Sequence, residues 1–262
     1  MHGMPPDFND NINTPMSEKP QENSIFRFGP NPAGQVLYFF GAIHTNNPTD
    51  VQFNRLKQSW NEFGDIVKGE RVVFTEGVIR AISSSYEDSI QQYGEAGAAQ
   101  WLAREAGVVV TCTEPSNENQ RKVLCASFSP QVVAYTMIAQ HLAVWYRQTR
   151  QLDFSEAMNW SVSREAKFAG IYSFTPTVIW FHNQHIKLFG KQKLEDKDFL
   201  NLISDPRKSD TLVNTIVAFR TKIRNEYLLS VINEAWKSGK SIFIVYGKGH
   251  LAALEQELQK LE

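Results

Sequence analysis

The chain is poor in cysteine, in net charge and in long apolar runs, and each shortage excludes a class of protein. Cys112 and Cys125 are the only cysteines in 262 residues. With neither CxxC spacing nor enough partners for a disulfide framework, they read as buried thiols in a reducing, cytoplasmic setting. Lysine plus arginine (27) nearly balance aspartate plus glutamate (28), so no global field favours nucleic acid or an acidic membrane. No segment reaches the roughly 18 apolar residues of a membrane helix. Catalytic signatures are missing too. There is no Gly-x-Ser-x-Gly elbow, and "SGKS" (238–241) is too short for a phosphate loop and precedes its strand. "FHNQH" (181–185) lacks the Glu and the spacing of HExxH, so His182 and His185 read as partly exposed histidines of an amphipathic helix, with a lid residue as the alternative. His141, in "AQHLAVWY", reads as a core-packed histidine.

Residues 1–22 have neither the basic nor the apolar region of a signal peptide and read as a flexible leader, which leaves 23–262 as one α/β domain. "SIFRF" (24–28) and "QVLYFFGAI" (35–43) flank a Gly/Pro-rich stretch and predict a hairpin. A helical period over 48–64 leads to the apolar "RVVFTEG" (71–77), and an Ala-rich helix over 85–107 leads to "VVVTCTEP" (108–115). These are βαβ crossovers, and near-continuous apolar strands belong to parallel sheets covered on both faces. From about 116 to 235 the pattern turns helical, with candidates near 129–149, 154–168, 177–189, 195–203 and 209–238, and most insert aromatics read as core packing. "SIFIVYGKGH" (241–250) returns as a strand before a closing amphipathic helix. The expected fold is α/β, a mostly parallel or mixed central sheet flanked by helices, with a large helical insertion before the last core strand.

In open α/β sheets, ligands sit at the carboxyl ends of the strands. His44, Glu76, Glu114 and His250 fall there. "GAIH" (41–44) and "GKGH" (247–250) share the form Gly-x-x-His, where Gly41 and Gly247 would allow a positive φ or a close backbone approach. Arg224 and Asn225 lie at the start of an amphipathic helix if the helix breaks there, or mid-helix if it runs on from 209. Arg224 is either a solvated helix charge or a clamp for a carboxylate or oxyanion.

These segments together, "SIFRFGPNPAGQVLYFFGAIHT", "VVFTEG" and "RNEYLLSVINEAWKSGKSIFIVYGKGHLAALEQEL", resemble the TraB/GumN/Tiki family, in the broader group with erythromycin esterases and ChaN-like haem-binding proteins. The likeness covers roughly 24–115 and 220–262; the helical middle carries no matching motif. The resemblance implies hydrolysis of a peptide or ester bond. It makes His44, Glu76 and His250 ligands of a divalent metal (Mn, Co or Zn) or direct catalysts, Arg224 an anion clamp, and Gly41, Gly247, Asn225 and Glu114 substrate-binding residues. Two histidines and a carboxylate commonly hold such an ion with one position open to water. Without metal, an imidazole oriented by Glu76 would take the proton from water directly. The alternative from another class is a ligand-binding protein, for haem or a peptide, without turnover. The expected partner is a peptide or small molecule.

Overall fold

The structure is a computed structural model and describes residues 24–81, 83–147 and 153–261. The leader expected over residues 1–22 lies outside the described residues. The chain folds as α/β around a five-stranded mixed sheet. Strands β1 (Ser24–Phe28) and β2 (Leu37–Ala42) form the expected antiparallel hairpin, with Phe26 opposite Phe39. The chain crosses through α1 (Val51–Ile66) to β3 (Arg71–Thr75), then through α2 (Tyr86–Glu105) to β4 (Val109–Cys112). Helices α3 (Asn117–Ser127), α4 (Pro130–Arg147), α5 (Phe154–Ala166) and α6 (Ala169–Tyr172) follow. Then come α7 (Val178–Phe189), α8 (Lys197–Ile203) and α9 (Leu212–Lys237). Strand β5 (Ser241–Gly247) slots between β2 and β3, parallel to both, and α10 (Lys248–Leu258) leaves its end. The sheet order is β1-β2-β5-β3-β4.

The unbroken apolar runs of β2 and β5 are explained by cover on both faces, since alternate side chains point to opposite sides. Tyr38, Phe40, Phe243 and Val245 pack under Phe53, Leu56, Trp60 and Phe63 of α1 and Ile90 and Leu102 of α2. Leu37, Phe39, Ile242 and Ile244 pack under Leu228, Ile232 and Trp236 of α9 and Leu251, Leu254 and Leu258 of α10. Helices α4, α5, α7, α8 and α9 bury a separate cluster around Tyr135, Ile138, Phe181 and Val217. Helix α9 belongs to both regions, because Val213, Ile216 and Val217 lie in the helical clusters while Leu228, Ile232 and Trp236 lie on the sheet. The expected boundary near 235 therefore falls inside one continuous helix, and Arg224 and Asn225 are mid-helix.

Three further expectations change. Helix α3 was not anticipated because its buried face is Gln120, Arg121 and Leu124, so the apolar period that announces a helix is missing; the Ser116 hydroxyl caps it at the Asn119 N–H. Strand β4 is shorter than 108–115 and lies at the sheet edge, where Val109 is exposed rather than covered. Strand β5 ends at Gly247, so His250 is in the first turn of α10 and not at a strand terminus.

Phe243 sits at the middle of the central strand against Tyr38, Trp60 and Phe63, with ring centroids 5.2–6.3 Å away. Phe243→Ala is expected to cost about 3–5 kcal/mol in urea unfolding, the range for a fully buried phenylalanine. A loss below about 1 kcal/mol would contradict the packing described.

Candidate functional site at the carboxyl edge of the sheet

Strands β2, β5 and β3 end side by side, which brings the segments carrying His44, Gly247 and Glu76 together. After β2 the chain has no strand partner for Ile43, and buried Gln52 of α1 supplies one. Its Oε1 accepts the Ile43 N–H at 3.0 Å and its Nε2 donates to the Ile43 carbonyl at 2.8 Å, fixing the backbone before His44. On the other side α2 is kinked at Gly94, with φ 62°. A side chain there would be strained in that backbone region and would place a Cβ 2.9 Å from the Thr45 carbonyl oxygen. The kink thus lets α2 press on the loop that carries His44. The next residue, Glu95, is buried and its carboxylate accepts the hydrogen bond from His44 Nδ1. That leaves His44 Nε2 facing Glu76, 4.0 Å from its Oε2, on a side chain that is 61% exposed.

Glu76 is the hub of the edge. Its Oε2 accepts the Gly247 N–H at 3.1 Å, and its Oε1 accepts from Arg224 Nη2 at 2.5 Å. Arg224 also donates to Glu114 through Nε at 2.7 Å and Nη2 at 2.6 Å. Burial opposes ionisation of Glu76, but the charges of Arg224, His44 and His250 outweigh it and hold the carboxyl at about 2. Arg224 is itself penalised by burial and held charged, above the usual arginine range, by Glu76 and Glu114.

His250 is buried, unlike His44. Its Nδ1–H donates to Asn225 Oδ1 at 2.5 Å and its ring meets Tyr246 edge to face. Burial pushes its pKa down to about 4, with Arg224, His44 and Arg220 adding to the effect against Glu76. A neutral imidazole that donates through Nδ1 carries a lone pair on Nε2. Tyr246 is tied to Thr113 Oγ1 at 2.7 Å, which closes the wall between β5 and the end of β4.

Comparison with protein-family models, curated proteins and solved structures gives no match for this chain.

Every site residue expected from sequence except Gly41 takes part in this constellation. Gly41 lies inside β2, opposite Tyr246 and Ser24. Neither Gly41 nor Gly247 has a positive φ, so the hinge expected of them is absent. Gly247 serves the other purpose glycine can serve, close approach: a Cβ there would lie 3.3 Å from His44 Nε2 and 3.5 Å from Glu76 Oε2. Glu95 and Gln52 were missed. The available signal for Glu95 was an acid between two glycines in an otherwise Ala-rich helix, "YGEAGAA". His185 is not a lid residue; it is buried, with Tyr135 Oη at Nδ1 and the Gln192 carbonyl at Nε2, each 2.7 Å away, whereas His182 is exposed.

With the side chains as they stand, His44, Glu76 and His250 do not form an assembled metal set. Among the described residues no three His, Cys, Asp or Glu side chains are grouped to hold an ion. Both Glu76 oxygens are already engaged, one by a guanidinium that repels a cation.

Acid lability follows from the two shifted groups. Glu76, depressed from 4.5 to about 2, contributes stability that is complete above pH 4.5 and lost as pH falls toward 2. His250, depressed from 6.5 to about 4, contributes stability that is complete above pH 6.5 and lost as pH falls through 4. Urea unfolding between pH 7 and 2 is expected to show two losses on the order of 3 kcal/mol each. His250→Gln should remove the upper one and Glu76→Gln the lower one; pH profiles parallel to wild type in both variants would sink the assignment.

Proposed function

We propose that this chain is a hydrolase that cleaves a peptide or ester bond with a water activated at the carboxyl edge of the sheet. One observation carries the reading: a solvent-reachable imidazole, His44, is held through Nδ1 by a buried carboxylate, Glu95, and turns Nε2 toward Glu76 at the strand ends. That is the chemistry of a general base, since the carboxylate fixes the tautomer and stabilises the imidazolium formed when Nε2 takes a proton from water. Glu95 thus takes the orienting role that the sequence alone assigned to Glu76. Glu76 stays ionised, faces the same Nε2 and offers the imidazolium a second negative charge. His250, neutral above about pH 4, supplies a hydrogen-bond acceptor at Nε2. Arg224 holds Glu76 and Glu114 in place.

Helices α3 to α9 are read as an insertion in the α/β core that forms the far wall of the crevice. The support is that Arg224 and Asn225 of α9 reach the strand-end groups. A second reading, a Mn, Co or Zn ion on His44, Glu76 and His250, is favoured by one feature. Both imidazoles have Nδ1 anchored on an oxygen, as metal-binding histidines do. Such an ion would supply an acidified water, and binding would require Glu76 to release Arg224.

The test is a panel of esters and peptides assayed with chelator and with added Mn, Co or Zn. Hydrolysis is expected to survive chelation, and His44→Ala and Glu95→Gln should each lower kcat by about 10²-fold or more. Activity that appears only with metal selects the second reading. Undiminished turnover in Glu95→Gln defeats the general-base assignment, and no hydrolysis under any condition defeats both.

A further inference from the structure

Three arginines of the helical region, Arg121 buried and Arg220 and Arg224 half-buried, lead toward the strand ends, and they are not equivalent. Arg224 is matched by Glu76 and Glu114. Arg121 is matched by Glu165, which also accepts from Tyr172 Oη at 2.7 Å. Arg220, one turn before Arg224 on the same face of α9, is held only by neutral amides. Its Nε donates to Gln120 Oε1 at 2.8 Å and its Nη1 to Gln140 Oε1 at 3.0 Å. Among the described residues no carboxylate pairs with it, and Nη2 makes no hydrogen bond.

The two glutamines are arranged to aim the guanidinium without neutralising it. Gln120, itself buried, is fixed by donating to the Pro115 carbonyl at 2.8 Å, next to Glu114. Gln140 comes from the opposite side, on α4. Burial, with the charges of Arg224 and Arg121, lowers Arg220 to about 9 against the opposing pull of Glu114 and Glu165, so it is still a cation at neutral pH. His141 beside it offers no compensation, because burial and the surrounding arginines Arg164, Arg220 and Arg121 keep it neutral down to about pH 3. Arg220 is half-buried and lies one turn from Arg224, whose guanidinium reaches Glu76 and Glu114, so it borders the same strand-end groups.

We propose that Arg220 is a binding residue for an anionic oxygen group, a carboxylate or a phosphate, carried by the molecule that enters the crevice. Taken with the hydrolase reading, on which the word substrate depends, it makes the substrate an ester or peptide that bears an acidic group beside the bond cleaved. The anion clamp expected of Arg224 then falls to Arg220, because a planar fork with two donors fixed and one open can receive an oxyanion without reorganising.

The experiment titrates wild type, Arg220→Gln and Arg220→Lys with succinate, inorganic phosphate and, as the neutral control, dimethyl succinate. Wild type should bind at least one anion and not the diester. R220Q should weaken the anion at least about tenfold, the effect of losing one charge-assisted hydrogen bond, and R220K should retain part of the binding. Tighter succinate marks a carboxylate, tighter phosphate a phosphate group. Equal affinity in wild type and R220Q, or no anion binding by wild type, overturns the assignment. If R220Q does not fold, the wild-type Arg220 Nε–H resonance, assigned with R220K, decides: it shifts with the anion but not with the diester, or the assignment is overturned. The hydrolase reading fails separately. A protein that binds succinate through Arg220 yet hydrolyses nothing in the panel supports the anion site and sinks hydrolysis. One that cleaves neutral and acidic esters equally, in wild type and R220Q alike, sinks the anion site and keeps hydrolysis.

Discussion

The pairing of Arg224 with Glu76 and Glu114 is the constraint on which the carboxyl edge depends. It joins a helix to the chain leaving two strands, and it sets one positive charge between two negative ones in a place where burial penalises the charges of Arg224 and Glu76. Buried ion pairs contribute little net stability, but removing one partner leaves an uncompensated charge that the interior cannot solvate. The arrangement therefore holds as a unit. With Arg224 in place, Glu76 is ionised, accepts the Gly247 N–H, and fixes where β5 gives way to α10. That junction in turn places His250 beneath Asn225 and leaves room for His44 above Gly247, room that any side chain at 247 would take.

The two histidines looked alike in sequence, each three residues after a glycine at an apolar strand's end, and physically they are different. His44 follows a strand, is exposed, and has a carboxylate at Nδ1; His250 opens a helix, is buried, and has an amide there. A carboxylate stabilises an imidazolium and a neutral amide does not, so one ring is suited to gaining a proton and the other to remaining neutral. Symmetry of motif here conceals a division of labour.

What the sequence revealed follows from which signals are local. Strands such as "LYFFGA" and "IFIVYG" are visible because cover on both faces demands unbroken apolar runs, and their order along the chain placed His44 and Glu76 on one edge. The partners of those residues were hidden, because partnership is tertiary. Glu95 is 51 positions from His44 and reads as one more acid in a helix; only the left-handed Gly94 beside it hinted at a close approach. Helix α3 was hidden for the opposite reason, since its inward face is polar and its burial rests on Arg121 meeting Glu165 and on Gln120 meeting Arg220. A pattern method that expects apolar residues inside will pass over a helix whose interior side chains are satisfied by one another.

That polar interior has a direction. From Arg121 through Arg220 to Arg224 the cations run from the centre of the helical region to the edge of the sheet, and the first and last are each met by carboxylates. Only the middle one is met by amides, although glutamate in place of Gln140 would have nearly the same shape and add a full charge of compensation. A fold that needed Arg220 solely as a strut between α3, α4 and α9 would gain from such an acid, because a charge-assisted bond is stronger than one to an amide and would relieve the burial penalty. Keeping the amides leaves Arg220, among the described residues, with no carboxylate in hydrogen-bond contact and only the more distant charges of Glu114 and Glu165, and a half-buried cation so placed is stabilised by an anion that reaches it.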